Sequence, residues 1–355
     1  MNKIALFCIV CMAMTYQVQA ASLSNIEQLG KIMYKDKDFS FNQTQSCQTC
    51  HHQVAGFADP TNSRDPYFTV VSLGADGQSL GGRNAPTAAY AGFSPILSQG
   101  DDGEYVGGMF WDGRATGWTL LDPLAEQAQG PPLNPVEMNM PDKAAIVQAV
   151  LDSDYVHLFE VVFGPGSLDN VEDAYDYIAF AIAAYERSND VQQFNSRFDR
   201  GILSEKEIRG MTVFGKKCAQ CHTMNSSDEF PLFTNYSYHN IGIPVNPILA
   251  GNPVDLGLGG FLATFDDVES PEKQNGKFKV PTLRNVALSA PYGHNGYFAT
   301  LQDMIRFKNS RDVSVSGWPL PEVNENINYK DLGNLEITDE EIDDLVAFLH
   351  TLSDN

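Results

Sequence analysis

The chain has 355 residues, 45 acidic and 23 basic side chains, and a formal net charge of −22. Such acidity argues against nucleic acid and anionic membranes as partners and would steer encounters toward a basic one. The length suits two domains.

Residues 1–20 read as a secretory leader, with Lys3 at the charged end, an apolar core from Ile4 to Met14, and Val18-Gln19-Ala20 at the cleavage site. That core is too short to span a bilayer, so the expected location is the periplasm. Cys8 and Cys11 lie inside the leader and are followed by Met12. They are set aside as ligands. The four remaining cysteines form two Cys-x-x-Cys-His runs, which leaves none for a structural disulfide.

After the leader, Ser24 and Glu27 form a capping box, with Ile26, Leu29, Ile32 and Met33 at helical spacing. The first run follows as Cys47-Gln48-Thr49-Cys50-His51. Stretches 73–103 and 128–141 are rich in Gly, Pro and Asn. Over 170–187, the residues Val171, Ala174, Tyr177, Ile178, Ala181, Ile182 and Tyr185 trace a helix. A polar stretch at 188–203 marks the boundary between halves. The pattern then repeats. Ser204 and Glu207 cap a helix bearing Ile208, Met211 and Phe214, and Cys218-Ala219-Gln220-Cys221-His222 follows. A loop-rich segment spans 223–280. A third box, Thr338 with Glu341, opens the closing helix over 338–352, with Ile342, Leu345, Val346, Leu349 and Leu352. No alternating strand pattern of any length occurs.

In Cys-x-x-Cys-His the two thiols can form thioether bonds to haem vinyl groups, and the adjacent His can ligate the iron. Structural zinc, redox dithiols or disulfides would also use paired cysteines, but none requires a His directly after the second Cys in both copies. The expected fold is mainly α, with two cytochrome c-like domains at 21–187 and 188–355. Each carries one covalent c-type haem, and the long loops wrap the haems. Arg83-Asn84-Ala85-Pro86-Thr87 and Pro281-Thr282-Leu283-Arg284-Asn285 echo each other. A buried Arg in each is a candidate partner for haem propionates, with a surface turn as the plainer reading.

Further segments complete a resemblance. They are Phe110-Trp111-Asp112-Gly113-Arg114-Ala115, Glu126-Gln127-Ala128-Gln129-Gly130-Pro131 running to Asn134-Pro135-Val136-Glu137-Met138, Val280 to His294, and Ala347-Phe348-Leu349. With both haem runs and Gly82 to Thr87, the whole mature chain resembles the bacterial diheme cytochrome c peroxidase/MauG family. The resemblance implies a peroxide-reactive haem on His51 and an electron-transfer haem on His222. It places Gln127 and Glu137 as the distal pair, Pro131 in the pocket lining and Trp111 between the haems. It also implies a calcium ion held by the Asn84 side chain and the carbonyls of Ser289 and Pro291, oxygen donors that suit this cation. Glu137 would shuttle a proton between the peroxide oxygens, Gln127 would orient peroxide or water, and Trp111 would relay electrons. Read without the family, Trp111 is a core aromatic and Glu137 a helix-start carboxylate.

Two departures stand out. Conventional family peroxidases place a His in the loop before Arg83, whereas Ser72 to Gly82 contains none, so the His51 haem is expected to be open. His52 adjoins the proximal ligand and cannot replace it. For the second haem, the peroxidases use a Met and MauG a Tyr as the distal ligand. Here Lys308 occupies that position, with Met304 one turn earlier; a surface Lys with a core Met, leaving no sixth protein ligand, is the third option. An insertion at Thr116 to Pro123 brings Trp118, read as a packed loop aromatic or a second relay. His157 and His350 read as helix residues. His239 sits in a family-like loop without an assigned role.

The favoured expectation is an exported diheme oxidoreductase that reacts with hydrogen peroxide and oxidises a Trp or Tyr of a partner protein, or another donor. The alternatives are a cytochrome c peroxidase fed by a small cytochrome or copper protein, and a diheme electron carrier without catalysis.

Overall fold

The computed structural model describes residues 22–224 and 230–355. The leader and its two cysteines lie outside the described residues. Among the described residues the helices in chain order are α1 Asn25–Lys35, α2 Cys47–Cys50, α3 Pro60–Arg64, α4 Pro123–Ala128, α5 Gly130–Leu133, α6 Lys143–Leu151, α7 Val156–Phe163, α8 Val171–Glu186, α9 Glu205–Lys217, α10 Gly257–Leu262, α11 Leu301–Ser310 and α12 Asp339–His350. Strands β1 Ser98–Gln99 and β2 Tyr105–Val106 pair antiparallel, as do β3 Tyr238–His239 and β4 Phe278–Lys279. None of these helices is long and apolar enough to cross a membrane.

All three capping boxes form. The Glu27, Glu207 and Glu341 carboxylates accept the N–H groups of Ser24, Ser204 and Thr338 at 2.6, 2.7 and 2.9 Å, satisfying donors that no helical carbonyl reaches. Both halves then use one device. Six residues after each capping Ser stands a glycine, Gly30 in α1 and Gly210 in α9. A Cβ on Gly30 would lie 1.8 Å from the Ala181 carbonyl oxygen of α8, and one on Gly210 1.9 Å from that of Asp344 in α12. Only glycine lets the backbones approach so closely. The crossings α1–α8 and α9–α12 hold the two cores. One buries Leu29, Met33, Ile178 and Ile182, with α4, α6 and α7 packed around them. The other buries Phe214, Ile342, Leu345, Phe348 and Leu349. Two expected stripe residues face outward, Ile32 at 40% exposure and Ile208 at 46%, because each lies on the edge of its apolar arc.

The halves are stitched together near their sites. The Lys279 N–H donates to the Trp111 carbonyl at 2.9 Å and the Asn84 N–H to that of His294 at 2.8 Å. The Tyr238 hydroxyl donates to the Gly107 carbonyl at 2.6 Å. Leu97 and Tyr105 share an apolar cluster with Tyr238, Leu258 and Leu262.

Of the echoed arginines, Arg284 is buried and Arg83 half-buried, and each has carboxylate partners. Arg83 binds Asp255 through Nε and Nη2 at 2.7 and 2.8 Å, and Asp112 at 2.6 Å. Arg284 is fully buried and binds Asp199 through two bonds of 2.9 Å. These ion pairs hold the chain together; Arg83 also lines the His51 cavity, whereas Arg284 is among the lining residues of neither that cavity nor the one around His222.

Candidate functional site

Two cavities carry the two Cys-x-x-Cys-His runs. In the first, α2 supplies Cys47 and Cys50, and His51 follows at its C-terminus. In the second, Cys218, Cys221 and His222 lie just past α9. All four cysteines are free. Burial pushes the Cys50 thiol up to about 12 and the Cys218 thiol up to about 11, so these are not activated thiolates. Among the described residues no three His, Cys, Asp or Glu side chains converge on a common metal point, which leaves a zinc reading without its ligand set.

The histidines repeat one geometry. Nδ1 of His51 donates to the Phe57 carbonyl at 3.2 Å, and Nδ1 of His222 to that of Phe233 at 2.9 Å. Fixing Nδ1 this way leaves Nε2 as the ligand atom and orients the ring. Burial lowers the pKa of both, that of His222 to about 3, with nearby Lys308 adding to the effect. Each imidazole is thus neutral, with a lone pair to give. Paired free thiols, an oriented neutral imidazole and a largely apolar cavity fit a haem in both places.

The three residues expected at the peroxide site share one cavity. Gln127 on α4, Pro131 on α5 and Glu137 just beyond them all line the His51 cavity. Asp122 caps α4 by accepting the Leu124 and Ala125 N–H groups at 3.0 and 3.2 Å. Glu126 accepts the N–H groups of Gly117, Thr119 and Leu120 at 2.6, 2.7 and 2.9 Å, anchoring the inserted loop. Trp118 in that loop is 47% exposed. Its indole N–H donates to the Leu97 carbonyl at 2.8 Å and its ring meets Phe265 edge-on. Glu137 accepts from the Asn134 amide at 2.7 Å. Burial raises its pKa, opposed by Arg114 and that amide.

The loop before Arg83 folds back over this cavity through a Leu73–Leu80 bridge and an Ala75 N–H bond of 2.7 Å to the Glu137 carbonyl. Among the described lining residues, His51 is the only histidine. His52 instead accepts the Val54 N–H at 3.2 Å.

Lys308 and Met304, one turn apart on α11, both line the His222 cavity, as do Asn84, Ser289 and Pro291. Burial lowers the Lys308 pKa. The Asn84 amide N–H donates to the Val70 carbonyl at 3.1 Å, turning Oδ1 away from that bond. Trp111 lines both cavities, and its indole N–H donates to the Asn84 carbonyl at 2.9 Å.

A family model described as di-haem cytochrome c peroxidase matches residues 24–207. The chain belongs to the diheme cytochrome c peroxidase family. It is an enzyme of the diheme peroxidase/oxidase class and carries two haems. Methylamine utilization protein MauG of Paracoccus denitrificans is 40% identical over 352 residues, covering 92% of this chain and 88% of that protein. Cytochrome c551 peroxidase of Nitrosomonas europaea is 30% identical over 337 residues, covering 93% and 80%. Among solved structures, the diheme peroxidase BthA of Burkholderia thailandensis superposes with a TM-score of 0.82 at 29% identity, over 93% of this chain and 86% of that one. A MauG-like protein associated with microbial copper homeostasis superposes with a TM-score of 0.68 at 29% identity, over 94% and 91%.

Several lining residues of this diheme enzyme escaped the sequence reading. His239 faces the His222 cavity, its Nε2 3.0 Å from the Ser237 hydroxyl. Lys279 is half-buried, its N–H on the Trp111 carbonyl, and its amine donates to the Gly108 carbonyl at 2.7 Å; desolvation of that amine lowers its pKa to about 7. Glu186 lines the His51 cavity. The signals available were the family-like loop around His239 and, for Glu186, its place four residues after Ile182 on the inward stripe of α8.

Proposed function

We propose that this protein is a MauG-like enzyme that reacts with hydrogen peroxide and spends the two oxidising equivalents on a Trp or Tyr of a partner protein, or on another donor. The observation that carries this reading is the His51 cavity. It presents Gln127 and Glu137, and no histidine from the loop before Arg83. A site of that kind takes peroxide without first releasing a protein ligand. The haems, when bound, supply the redox chemistry.

The side chains do the rest. Glu137, raised in pKa by burial yet tied to Asn134, takes a proton from one peroxide oxygen and returns it to the other. Gln127 orients the peroxide by donating and accepting hydrogen bonds, and Pro131 fills the wall beside it. Trp111, with a face on each cavity, relays electrons between them. Covalent attachment through Cys47, Cys50, Cys218 and Cys221 is part of the proposal, with His51 and His222 as proximal ligands. So is export to the periplasm through residues 1–20, and so is division at 21–187 and 188–355, which the two separate cores support. A calcium ion held by Asn84 Oδ1 and the Ser289 and Pro291 carbonyls is proposed on their common position around one cavity.

Of the two candidates for the distal position of the second haem, we favour Lys308. Met304 is packed against the cluster of Ile243, Phe298 and Phe307, whereas no hydrogen bond or ion pair occupies the Lys308 amine among the described residues.

Mixing the purified diferric protein with hydrogen peroxide tests the reading, followed optically and by EPR. The expected result is a long-lived, doubly oxidised protein and slow oxidation of reduced cytochrome c. Rapid turnover of cytochrome c would mark a conventional peroxidase, and inertness to peroxide an electron carrier.

A further inference from the structure

Glu186 is the last residue of α8 and is 4% exposed. It lines the His51 cavity. Its Oε2 is the only buried carboxyl oxygen among the described residues that lacks a hydrogen-bond partner. A buried acid so placed is either ionised and costly, or neutral with a hydroxyl to give.

The neighbours decide for the neutral form. Arg187, next in the chain, turns outward and spends its guanidinium on Asp122 through bonds of 2.8 and 2.7 Å. The Tyr34 hydroxyl is spent on the His51 carbonyl at 2.8 Å. Gln192 donates to the Glu186 main-chain carbonyl at 2.9 Å, not to its carboxyl. The other ionisable groups around it are Cys47, Tyr185 and Asp122, none of them a cation. Burial raises the Glu186 pKa, with Arg187 opposing and Asp122 adding, to about 8.

We propose that Glu186 is a proton-holding residue of the His51 cavity, presenting a carboxylic O–H to whatever occupies it and releasing that proton when peroxide is reduced there. Reduction of one hydrogen peroxide to two waters consumes two electrons and two protons. The electrons come from the donor. Glu137 returns the proton it takes and so supplies none on balance. Once the O–O bond is broken and the donor's electrons arrive, Glu186 gives one of the two protons to the oxygen left in the cavity and is reprotonated from solvent, which also supplies the second. This inference rests on the peroxide reading above.

Infrared spectroscopy of the diferric holoprotein tests it. The protonated-carboxyl C=O band should be present near neutral pH, shift in heavy water and titrate away with a midpoint near pH 8 in the unmodified protein. It should vanish in Glu186→Gln and persist in Glu137→Gln, with haem content unchanged in both. Glu186→Gln should also slow the donor-dependent return of the peroxide-oxidised protein to the diferric state about tenfold or more. A band unchanged in Glu186→Gln, or no titratable band in the unmodified protein, overturns the proposal. If the protein proves inert to peroxide, proton delivery falls with the peroxide reading, whereas the infrared band still decides where the proton is held.

Discussion

Replacing Gly210 with Ala puts a methyl group into the α9–α12 crossing. The added Cβ would stand 1.9 Å from the Asp344 carbonyl oxygen and 2.9 Å from the Phe348 Cβ. An ordinary C···O contact is about 3.3 Å, so the helices must separate by roughly 1.4 Å. Overpacking of this kind costs about 1–3 kcal/mol, and this overlap lies at the upper end because both partners are rigid. Better helix propensity returns about 1 kcal/mol, for a net loss of about 2 kcal/mol. Gly215, five residues on in the same helix, provides the control. Its nearest foreign atom would be the flexible Met224 Cε at 3.5 Å, so Gly215→Ala should gain about 0.5–1 kcal/mol. Thermal unfolding of the holoprotein followed by circular dichroism should place Gly210→Ala several degrees below the parent and Gly215→Ala at or above it. Equal midpoints for the two variants would refute the account of the crossing, and Gly30→Ala should behave as Gly210→Ala does.

Three further outcomes are expected. Lys308→Ala should abolish the low-spin EPR signal of the second haem while Met304→Leu leaves it intact; the reverse pattern would assign the ligand to Met304. Glu137→Gln should slow peroxide consumption about a hundredfold or more in single-turnover mixing, and an unchanged rate would remove Glu137 from proton transfer. The third concerns acid stability. Burial alone would raise the Asp199 pKa, but the Arg284 guanidinium overrides it and holds the carboxyl below its usual range. A depressed pKa stabilises the fold above the unfolded value and loses that contribution as pH falls through the folded one. Asp199→Asn should therefore cost about 3–5 kcal/mol at neutral pH, and the gap from the parent should close below about pH 4 in denaturant titrations.

Helices α1, α8, α9 and α12 and both Cys-x-x-Cys-His runs were legible because their signals are local. A capping box spans four residues, and the apolar stripes of α8 and α12 repeat each turn. The partners of the long polar side chains were not. Arg83 meets Asp255 and Arg284 meets Asp199 across 172 and 85 positions of sequence, and nothing near either arginine announces the acid that claims it. The four strands are two residues each, too short to alternate. Whether Lys308 or Met304 stands free in the cavity depends on Ile243, Phe298 and Phe307 claiming the methionine, a packing choice made by distant segments. Glu186 follows the apolar stripe of α8, but only the cavity beside it gives that acid a use.

The indole N–H of Trp111 points at the backbone carbonyl of Asn84. A carbonyl accepts a hydrogen bond but is too weak a base to take the proton. An indole that loses an electron in this setting keeps its hydrogen and becomes a cation radical. If Trp111 is the relay proposed above, charge would cross from one cavity to the other with no proton following it, at the same rate in heavy and ordinary water. On the proposed mechanism the two kinds of traffic are kept apart: protons turn over inside the His51 cavity, and electrons alone pass Trp111.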